Sequence, residues 1–164
     1  MILLRKAREK DIEVIRTIAN STWYDTYSSI ISLDQIEYML AEMYSAATLL
    51  SQFQEGYTFL IAEENDTNVG FAGFSLTDPE KNIHKLHKLY VLPSAHGKGV
   101  GKLLMNEVVN IAKAGGGVSL ELNVNRNNKA ATFYEKAGFK IKETVDISIG
   151  NGFFMNDYVM EKPI

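Results

Sequence analysis

The segment 89–102, LYVLPSAHGKGVGK, constrains the fold of this chain more than any other stretch. A β-type apolar run ends at Pro93, which cannot continue a strand ladder, and an amphipathic helical pattern begins directly after three alternating glycines. Gly97, Gly99 and Gly101 have no Cβ, so the backbone can turn with its N–H groups pointing inward. The first turn of the following helix adds unpaired donors and a partial positive charge. The pattern therefore predicts a strand, an anion-binding loop and a helix, with a diphosphate as the natural ligand.

The rest of the chain alternates helical and strand-like patterns. Residues 118–124 alternate strictly between apolar and polar side chains, as in a strand with one buried face. The polar turn 65–68 separates two runs rich in aromatic and β-branched residues, which is the pattern of an antiparallel hairpin. The predicted strands cover residues 2–6, 57–63, 69–76, 83–92, 118–124 and a hairpin within 139–161; the predicted helices cover 12–22, 32–54 with a break near Ser45, 100–115 and 130–137.

Composition sets the broad class of the protein. The 164 residues are 46% hydrophobic and 23% charged, which is typical of one globular domain spanning residues 1–164. A net charge of −3 supplies no polycationic field, so we expect neither nucleic acid nor a membrane surface as a partner. The chain has no cysteine, which excludes disulfides, thiolate metal ligands and a cysteine nucleophile, and we expect no metal. The apolar start of the chain is too short for a signal-peptide core, so we expect a soluble cytoplasmic protein.

The spacing of the glycines excludes two common nucleotide-binding loops. A Walker A loop requires a glycine five residues before the second glycine of its Gly-Lys pair, but His96 stands five residues before Gly101. It also requires a Ser or Thr after the lysine, where this chain has Leu103. A dinucleotide-binding fingerprint requires glycines spaced two and then three residues apart, and Lys102 occupies the third position.

The remaining pattern, H-G-K-G-V-G-K, resembles the pyrophosphate-binding motif of the GNAT family of N-acetyltransferases, Q/R-x-x-G-x-G/A. The preceding KLYVLP and the later NVNRNNKAATFYEKAGF resemble other segments of that family, in the same order, across the second half of the chain. The resemblance implies an α/β fold with a mixed, mostly antiparallel twisted sheet of six to seven strands, flanked by helices on both faces. It also implies a splay between strands 4 and 5, here residues 83–92 and 118–124.

The resemblance implies acetyl-CoA as the cofactor, lying in the splay. The backbone of the loop would hold the diphosphate, and strand 83–92 would offer backbone groups to the acetyl carbonyl and the pantetheine arm. Asn123 and Asn128 would line the arm, although Asn128 is equally an ordinary helix cap. Lys136 would approach the 3′-phosphate or be a solvated lysine. The implied cofactor-binding residues are Leu89, Tyr90, Val91, His96, Gly97, Lys98, Gly99, Val100, Gly101, Lys102, Asn123, Asn128 and Lys136, with His96 replacing the family's usual Gln or Arg.

Three residues are candidates for proton transfer. Tyr134 matches the family's tyrosine that protonates the departing thiolate, and its alternative is an aromatic side chain in the core. His87 occupies a position where family members often carry a glutamate base, but it shares strand parity with Leu89 and Val91 and is equally an inward-packed histidine. Glu121, on the neighbouring strand, is the second candidate base, with a structural carboxylate as its alternative.

The first half of the chain holds the candidate residues for acceptor recognition. Trp23, Tyr24, Asp25 and Tyr27 follow the predicted first helix, and aromatic rings with one carboxylate suit a cationic amine. This segment loosely resembles the polyamine acetyltransferase branch of the family. The alternative is that Trp23 and Tyr27 only close the core under a loop.

These features predict an acetyl-CoA-dependent N-acetyltransferase. The acceptor would be the primary amine of a small molecule, with polyamines as one candidate, and it would attack directly in a ternary complex because no cysteine can carry an acyl group. Two alternatives stay open: acetylation of a protein N-terminus or lysine, and a non-catalytic CoA-binding regulatory module. A homodimer is one possible assembly.

Overall fold

Seven strands form one sheet in the order β1-β2-β3-β4-β5-β7-β6 in the computed structural model, which describes residues 1–164. The α/β fold predicted from the sequence is confirmed, and no helix is long and apolar enough to cross a membrane. The strands are β1 Ile2–Lys6, β2 Thr58–Glu64, β3 Thr67–Asp78, β4 Ile83–Val91, β5 Ser119–Asn125, β6 Lys140–Gly150 and β7 Phe153–Pro163. The helices are α1 Ile12–Tyr27, α2 Leu33–Met43, α3 Ala46–Gln54, α4 Val100–Ala114 and α5 Ala130–Lys136, with short 3-10 turns at Glu9–Asp11 and Pro93–Ala95.

One neighbouring pair, β4 and β5, is parallel, and every other pair in the sheet is antiparallel. The parallel ladder begins at Ile83 with Ser119 and ends at Leu86 with Leu122, after which the two strands separate. The second half of β4 keeps its ladder with β3 but has no partner on its other edge. The splay predicted between strands 4 and 5 therefore opens beyond Leu86.

The two faces of the sheet carry separate hydrophobic cores. On one face α4 and α5 cover the strands, and the alternation of β5 sends Leu120, Leu122 and Val124 into that core. On the other face α1, α2 and α3 pack against β2 and β3. Helices on both faces follow from the amphipathic patterns, because each helix has one apolar stripe to bury.

The first helix is longer than the sequence analysis predicts. It continues past Thr22 to Tyr27, so Trp23 and Tyr27 lie on its last turns and do not form a loop. Thr22 is compatible with the helix because its hydroxyl donates to the carbonyl of Ile18, 2.9 Å away, one turn earlier. Trp23 and Tyr27 are four residues apart, so they share the buried face and stack with ring centroids 4.5 Å apart.

A β-bulge corrects the parity assigned to His87. The register between β3 and β4 shifts between Gly73 and Phe74, which pair with Lys88 and Leu86 and leave His87 as the extra residue. The ring of His87 stacks on Tyr57, on the α1–α3 side of the sheet, with centroids 4.4 Å apart. His87 therefore does not share a face with Leu89 and Val91, which pack on the α4 side.

The start of β5 is fixed by a close backbone approach, which gives a stability prediction. A Cβ on Gly117 would lie 2.7 Å from both the carbonyl oxygen of Ala112 and the Nδ1 atom of His84. Gly117→Ala should therefore lower the free energy of unfolding by about 1–3 kcal/mol in urea denaturation.

The matched control is Gly115→Ala. A Cβ at Gly115 would meet its nearest atoms at 3.6 Å, which is ordinary contact, and Gly115 has a negative φ of −85°. The free energy of unfolding of the Gly115→Ala variant should stay within ~0.5 kcal/mol of the wild-type value. Equal stabilities for the two variants would show that the approach at Gly117 does not constrain the fold.

Candidate active site

A cleft of about 1170 Å³ opens where β4 and β5 separate. Its walls are the second half of β4, the end of β5, the loop before α4, the start of α5, and the ends of α1 and α2 facing the β6–β7 hairpin. Half of the lining residues are hydrophobic, so the cleft offers a ligand both apolar contact surface and polar groups. The cleft passes from the α4 side of the sheet to the α1 side through the gap between the strands.

The loop before α4 presents unpaired backbone donors to this cleft. Gly97 and Gly99 adopt left-handed φ values of +80° and +78°, which side chains disfavour. The first helical bond runs from the Leu103 N–H to the Gly99 carbonyl, so the N–H groups of the preceding turn have no helical acceptor. The N–H groups of Gly97, Lys98 and Gly99 make no hydrogen bond within the protein. Successive free donors at a helix N-terminus can bind an anion, which is the ligand that the glycine spacing predicts.

The charged side chains around the loop divide into two groups. Lys102 and Lys129 line the cleft and can meet an anionic ligand there. Lys98 forms an ion pair with Glu64 at 2.8 Å, and its charge is offset at the surface. Lys136 is exposed and does not line the cleft. Direct phosphate contacts by Lys98 and Lys136 therefore find no support in this geometry.

His96 has a structural contact in place of the family's Gln or Arg. Its Nε2–H donates to the Val91 carbonyl across 2.8 Å. This bond ties the loop to the last residue of β4, so the donors of the loop and the edge of the strand keep a fixed relation.

The free edge of β4 faces the gap. Leu92 N–H bonds to the Val69 carbonyl on β3, and backbone groups of alternate residues point to opposite edges of a strand. Leu89 and Val91 therefore direct their N–H groups and the Leu89 carbonyl into the gap, where β5 offers no partner, while the Val91 carbonyl accepts from His96. Tyr90 contributes its side chain, whose hydroxyl lies 2.9 Å from that of Tyr27.

Tyr134 lies in the wall opposite β4. Its ring is held edge-on by Phe133 and Phe139, with centroids 5.3 and 5.8 Å away, and only 7% of the residue is exposed. Burial, followed by the proximity of Tyr27, raises the pKa of the Tyr134 phenol. The phenol therefore keeps its proton at neutral pH and is a hydrogen-bond donor facing the gap.

Asn128 positions the start of α5 beside this phenol. Its Oδ1 accepts from the Ala130 N–H at 2.9 Å, as a capping residue does. Asn123 lies on the same wall of the cleft, on β5. Both asparagines therefore face the gap, as the family resemblance implies.

The two candidate bases differ in position. His87 lines the cleft, and its Nε2 lies 2.7 Å from Ser75 Oγ. Burial, then the nearby Lys85 and Lys88, lower the pKa of His87 to about 4, so the ring is neutral at pH 7 but holds a proton poorly.

Glu121 does not line the cleft. Its carboxylate forms an ion pair with Lys142 at 2.8 Å. Lys142 lies on β6, the edge strand next to β7. Glu121 is therefore not placed to act as a base, and its ion pair gives this carboxylate a structural role instead.

The residues predicted to bind the acceptor do not all line the cleft. Trp23, Asp25 and Tyr27 line the cleft, whereas Tyr24 is 39% exposed and points away from it. Trp23 is only 2% exposed and stacks on Tyr27 and Tyr90, so it forms part of the core as well as part of the wall.

Two buried charged residues of the cleft were missed by the sequence analysis. Asp157 on β7 is 2% exposed and Lys88 on β4 is 4% exposed, and both line the cleft. The sequence signal for Asp157 was a carboxylate at an inward-facing position of a strand. Asp157 lies two residues from Met155, which packs against the core, and residues two apart on a strand share a face. Lys88 gave no such signal in the sequence, because the bulge at His87 changes the face of β4 on which Lys88 lies.

Lys88 gives a pH-dependent stability prediction. Its ammonium lies 4.8 Å from the centroid of Tyr44 and has no salt bridge, and burial lowers the pKa of Lys88 from 10.5 to about 8. A group whose pKa falls on folding destabilises the fold fully below the folded pKa and not at all above the unfolded pKa. This cost is of the order of 3 kcal/mol.

Lys88→Met should therefore raise the melting temperature at pH 7, and the gain should shrink between pH 8 and 10.5. Thermal denaturation at pH 7 and pH 10 measures both points, with the exposed Lys81→Met as the control. A gain for Lys88→Met that is constant with pH would contradict the assigned burial cost.

Comparison with known proteins gives a consistent assignment. The family model for the acetyltransferase (GNAT) family matches residues 12–139. The chain is 32% identical to spermidine N(1)-acetyltransferase of Thermoplasma acidophilum, over 98% of this chain and 96% of that protein. It is 29% identical to the peptidyl-lysine N-acetyltransferase YjaB of Salmonella typhimurium, over 86% of this chain and 85% of that protein.

A solved structure agrees with the fold. The PaiA N-acetyltransferase of Thermoplasma acidophilum, crystallised in complex with coenzyme A, superposes with a TM-score of 0.85 and 30% identity, covering 100% of this chain and 99% of that one. The split sheet, the donor loop before α4 and the family match over residues 12–139 lead to one conclusion: this chain belongs to the GNAT family of acetyltransferases.

Proposed function

We propose that residues 1–164 act as one domain that transfers an acetyl group to the primary amine of a small molecule. The observation that carries this proposal is that the acceptor end of the cleft is bridged by hydrogen bonds. Tyr38 on α2 donates to the Ile149 carbonyl at 2.8 Å, and Gln35 donates to the Phe154 carbonyl at 2.7 Å. A peptide chain that presents an internal lysine needs a groove open at both ends, whereas these bonds join α2 to the β6–β7 hairpin across the end of the cleft.

The residues of the cleft fit acetyl-CoA, the donor that GNAT enzymes use. The free N–H groups around Gly97 and Gly99 suit a diphosphate, and the edge of β4 suits the amide-bearing arm. Acetyl-CoA supplies an activated acetyl thioester when it is bound. Lys102 and Lys129 add positive charge beside the diphosphate, because they line the same end of the cleft.

The carboxylates at the other end, which face the lysines Lys85 and Lys88 on β4, favour a cationic acceptor. Asp25, Glu42 and Asp157 line the cleft there, together with the rings of Trp23 and Tyr27. Carboxylates and aromatic faces both attract alkylammonium groups. A relative at 32% identity is named as a spermidine N(1)-acetyltransferase. We therefore propose short aliphatic polyamines as the first acceptors to test.

Two groups of this chain assist the transfer. The backbone N–H groups of Leu89 and Val91 face the gap and can donate to the acetyl oxygen, where negative charge develops. The phenol of Tyr134 faces them from the opposite wall and donates to the sulfur as it leaves. Direct attack in a ternary complex fits one continuous cleft that holds both substrates, in a chain without cysteine.

Protein acetylation is the second candidate. The observation in its favour is the similarity to a peptidyl-lysine acetyltransferase over 86% of this chain. The bridged end of the cleft argues against an internal lysine, since its peptide chain has to leave the cleft in both directions.

A panel of acceptors tests the proposed function. Spermidine, putrescine, free amino acids and Ala- and Lys-containing peptides are incubated with acetyl-CoA, and free thiol is measured. We expect the highest kcat/KM with a polyamine. A preference for peptides would support protein acetylation, and CoA binding without turnover of any amine would support a non-catalytic module.

Replacement of the phenol tests the role of Tyr134. Tyr134→Phe keeps the ring between Phe133 and Phe139 but removes the donor, so kcat should fall ~10²-fold with little change in KM for acetyl-CoA. Tyr158→Phe is the control, since Tyr158 packs against the same core outside the cleft. An unchanged kcat in Tyr134→Phe at saturating substrates would remove the phenol from the reaction.

A further inference from the structure

We infer that Asp157 binds the ammonium group of the acceptor and takes up one of its protons. This inference rests on the proposed function, because it requires a primary amine as the acceptor. The proton acceptor then lies on β7, the last strand along the chain, and is neither of the two residues that the sequence suggested for that role.

The position of Asp157 brings its carboxylate to the acceptor side of the gap. It lies on β7 opposite Asn125, the last residue of β5, where that strand has already left β4. The residue is 2% exposed and lines the cleft. A carboxylate at this depth meets ligands and few water molecules.

The carboxylate has no counter-ion of its own. Its one side-chain hydrogen bond comes from the Asn123 amide at 3.5 Å, which is the outer limit for such a bond. No cation lies within salt-bridge distance of Asp157, and Arg126 is paired instead with Asp146 at 2.7 Å. A buried charge is costly without a partner, and a bound ammonium would supply the missing one.

The neighbouring charges direct a cation towards Asp157. Lys88 lies on the β4 wall, and Lys85 on β4 is near enough to act on both His87 and Asp157. Positive charge on the β4 wall repels an ammonium, whereas Asp157 attracts it from β7. The acceptor nitrogen is therefore drawn to the β7 side of the gap.

Burial also makes this carboxylate a stronger proton acceptor than an ordinary aspartate. The groups that face it are Tyr27 from α1, Lys85 from β4, and Asn123 and Arg126 from β5 and the turn after it. Desolvation raises the pKa of Asp157, and the amide of Asn123 and the two cations oppose that shift only in part. His87 is less basic than a free histidine, because burial and two lysines act against its protonation.

The proton balance of the reaction is complete with this assignment. The acceptor enters as an ammonium with three N–H protons and leaves as an amide with one. The first proton passes to Asp157 and then to solvent, which frees the lone pair that forms the N–C bond as the C–S bond breaks. Tyr134 gives its proton to the sulfur, and the second proton lost by the nitrogen restores the phenol.

The test compares Asp157→Asn with Asp157→Glu and with the wild type. Asp157→Asn keeps the shape but not the charge, so spermidine should bind the CoA complex about 10- to 100-fold more weakly in calorimetric titration. Its kcat should also fall at least 10-fold, whereas CoA affinity should stay unchanged. Asp157→Glu should recover part of both losses. Glu161→Gln, on the same strand but outside the cleft, is the matched control and should behave as the wild type.

The pH profile separates proton uptake from a structural role. In the wild type, kcat/KM should fall with decreasing pH as Asp157 is protonated, at a higher pH than for an ordinary aspartate. Asp157→Asn should lose this acid limb, which a change in folding alone would not cause.

The outcomes distinguish this inference from the proposed function. Wild-type turnover of polyamines combined with unchanged polyamine affinity and pH profile in Asp157→Asn overturns the inference and leaves the function standing. Absence of wild-type turnover with every small amine overturns both. Loss of CoA affinity in a folded Asp157→Asn protein would also contradict the inference, because the carboxylate would then support the donor site.

Discussion

The ladder between β4 and β5 ends after four residue pairs, and the remaining structure of the site depends on that interruption. A parallel pair that continued would use the backbone groups of Leu89 and Val91 in the sheet. Because it stops at Leu86 and Leu122, the N–H groups of Leu89 and Val91 and the Leu89 carbonyl stay free of the sheet, and the gap becomes a passage through it. The glycine loop follows β4 directly, and His96 fixes it to Val91 by a bond of 2.8 Å. The free strand edge and the free loop donors thus form one continuous polar surface.

The passage separates two kinds of binding. On the α4 side the donors are backbone N–H groups at fixed positions, which suit a phosphate chain of known geometry. On the α1 side the polar groups are side chains, chiefly Asp157, Lys88 and His87, in a wall where half of the cleft residues are hydrophobic. Their pKa values depart from the ordinary ones because burial penalises each charged form. In the proposed function, donor binding therefore depends on the backbone, and acceptor choice depends on a few buried charges.

Much of the fold was predictable from the sequence because it depends on local patterns. The alternation in β5, the turn at residues 65–68 and the glycine loop each determine a local conformation, and the structure follows them. The parity of His87 was not predictable, since a bulge is decided by how β3 and β4 pair and leaves no mark in β4 alone. Asp157 was missed for a related reason. The role proposed for Asp157 requires that β7 lie beside β5 at the gap, and that neighbour relation is a property of the whole sheet.

The central claim is that the loop and the free edge of β4 hold acetyl-CoA through backbone donors. Amide hydrogen exchange with and without CoA tests it most directly, since it reports the N–H groups themselves. We expect slower exchange on CoA binding at Gly97 to Lys102 and at Leu89 and Val91, with little change in β1, β2 or the β6–β7 hairpin. Protection that is absent from the loop and appears elsewhere would contradict the account.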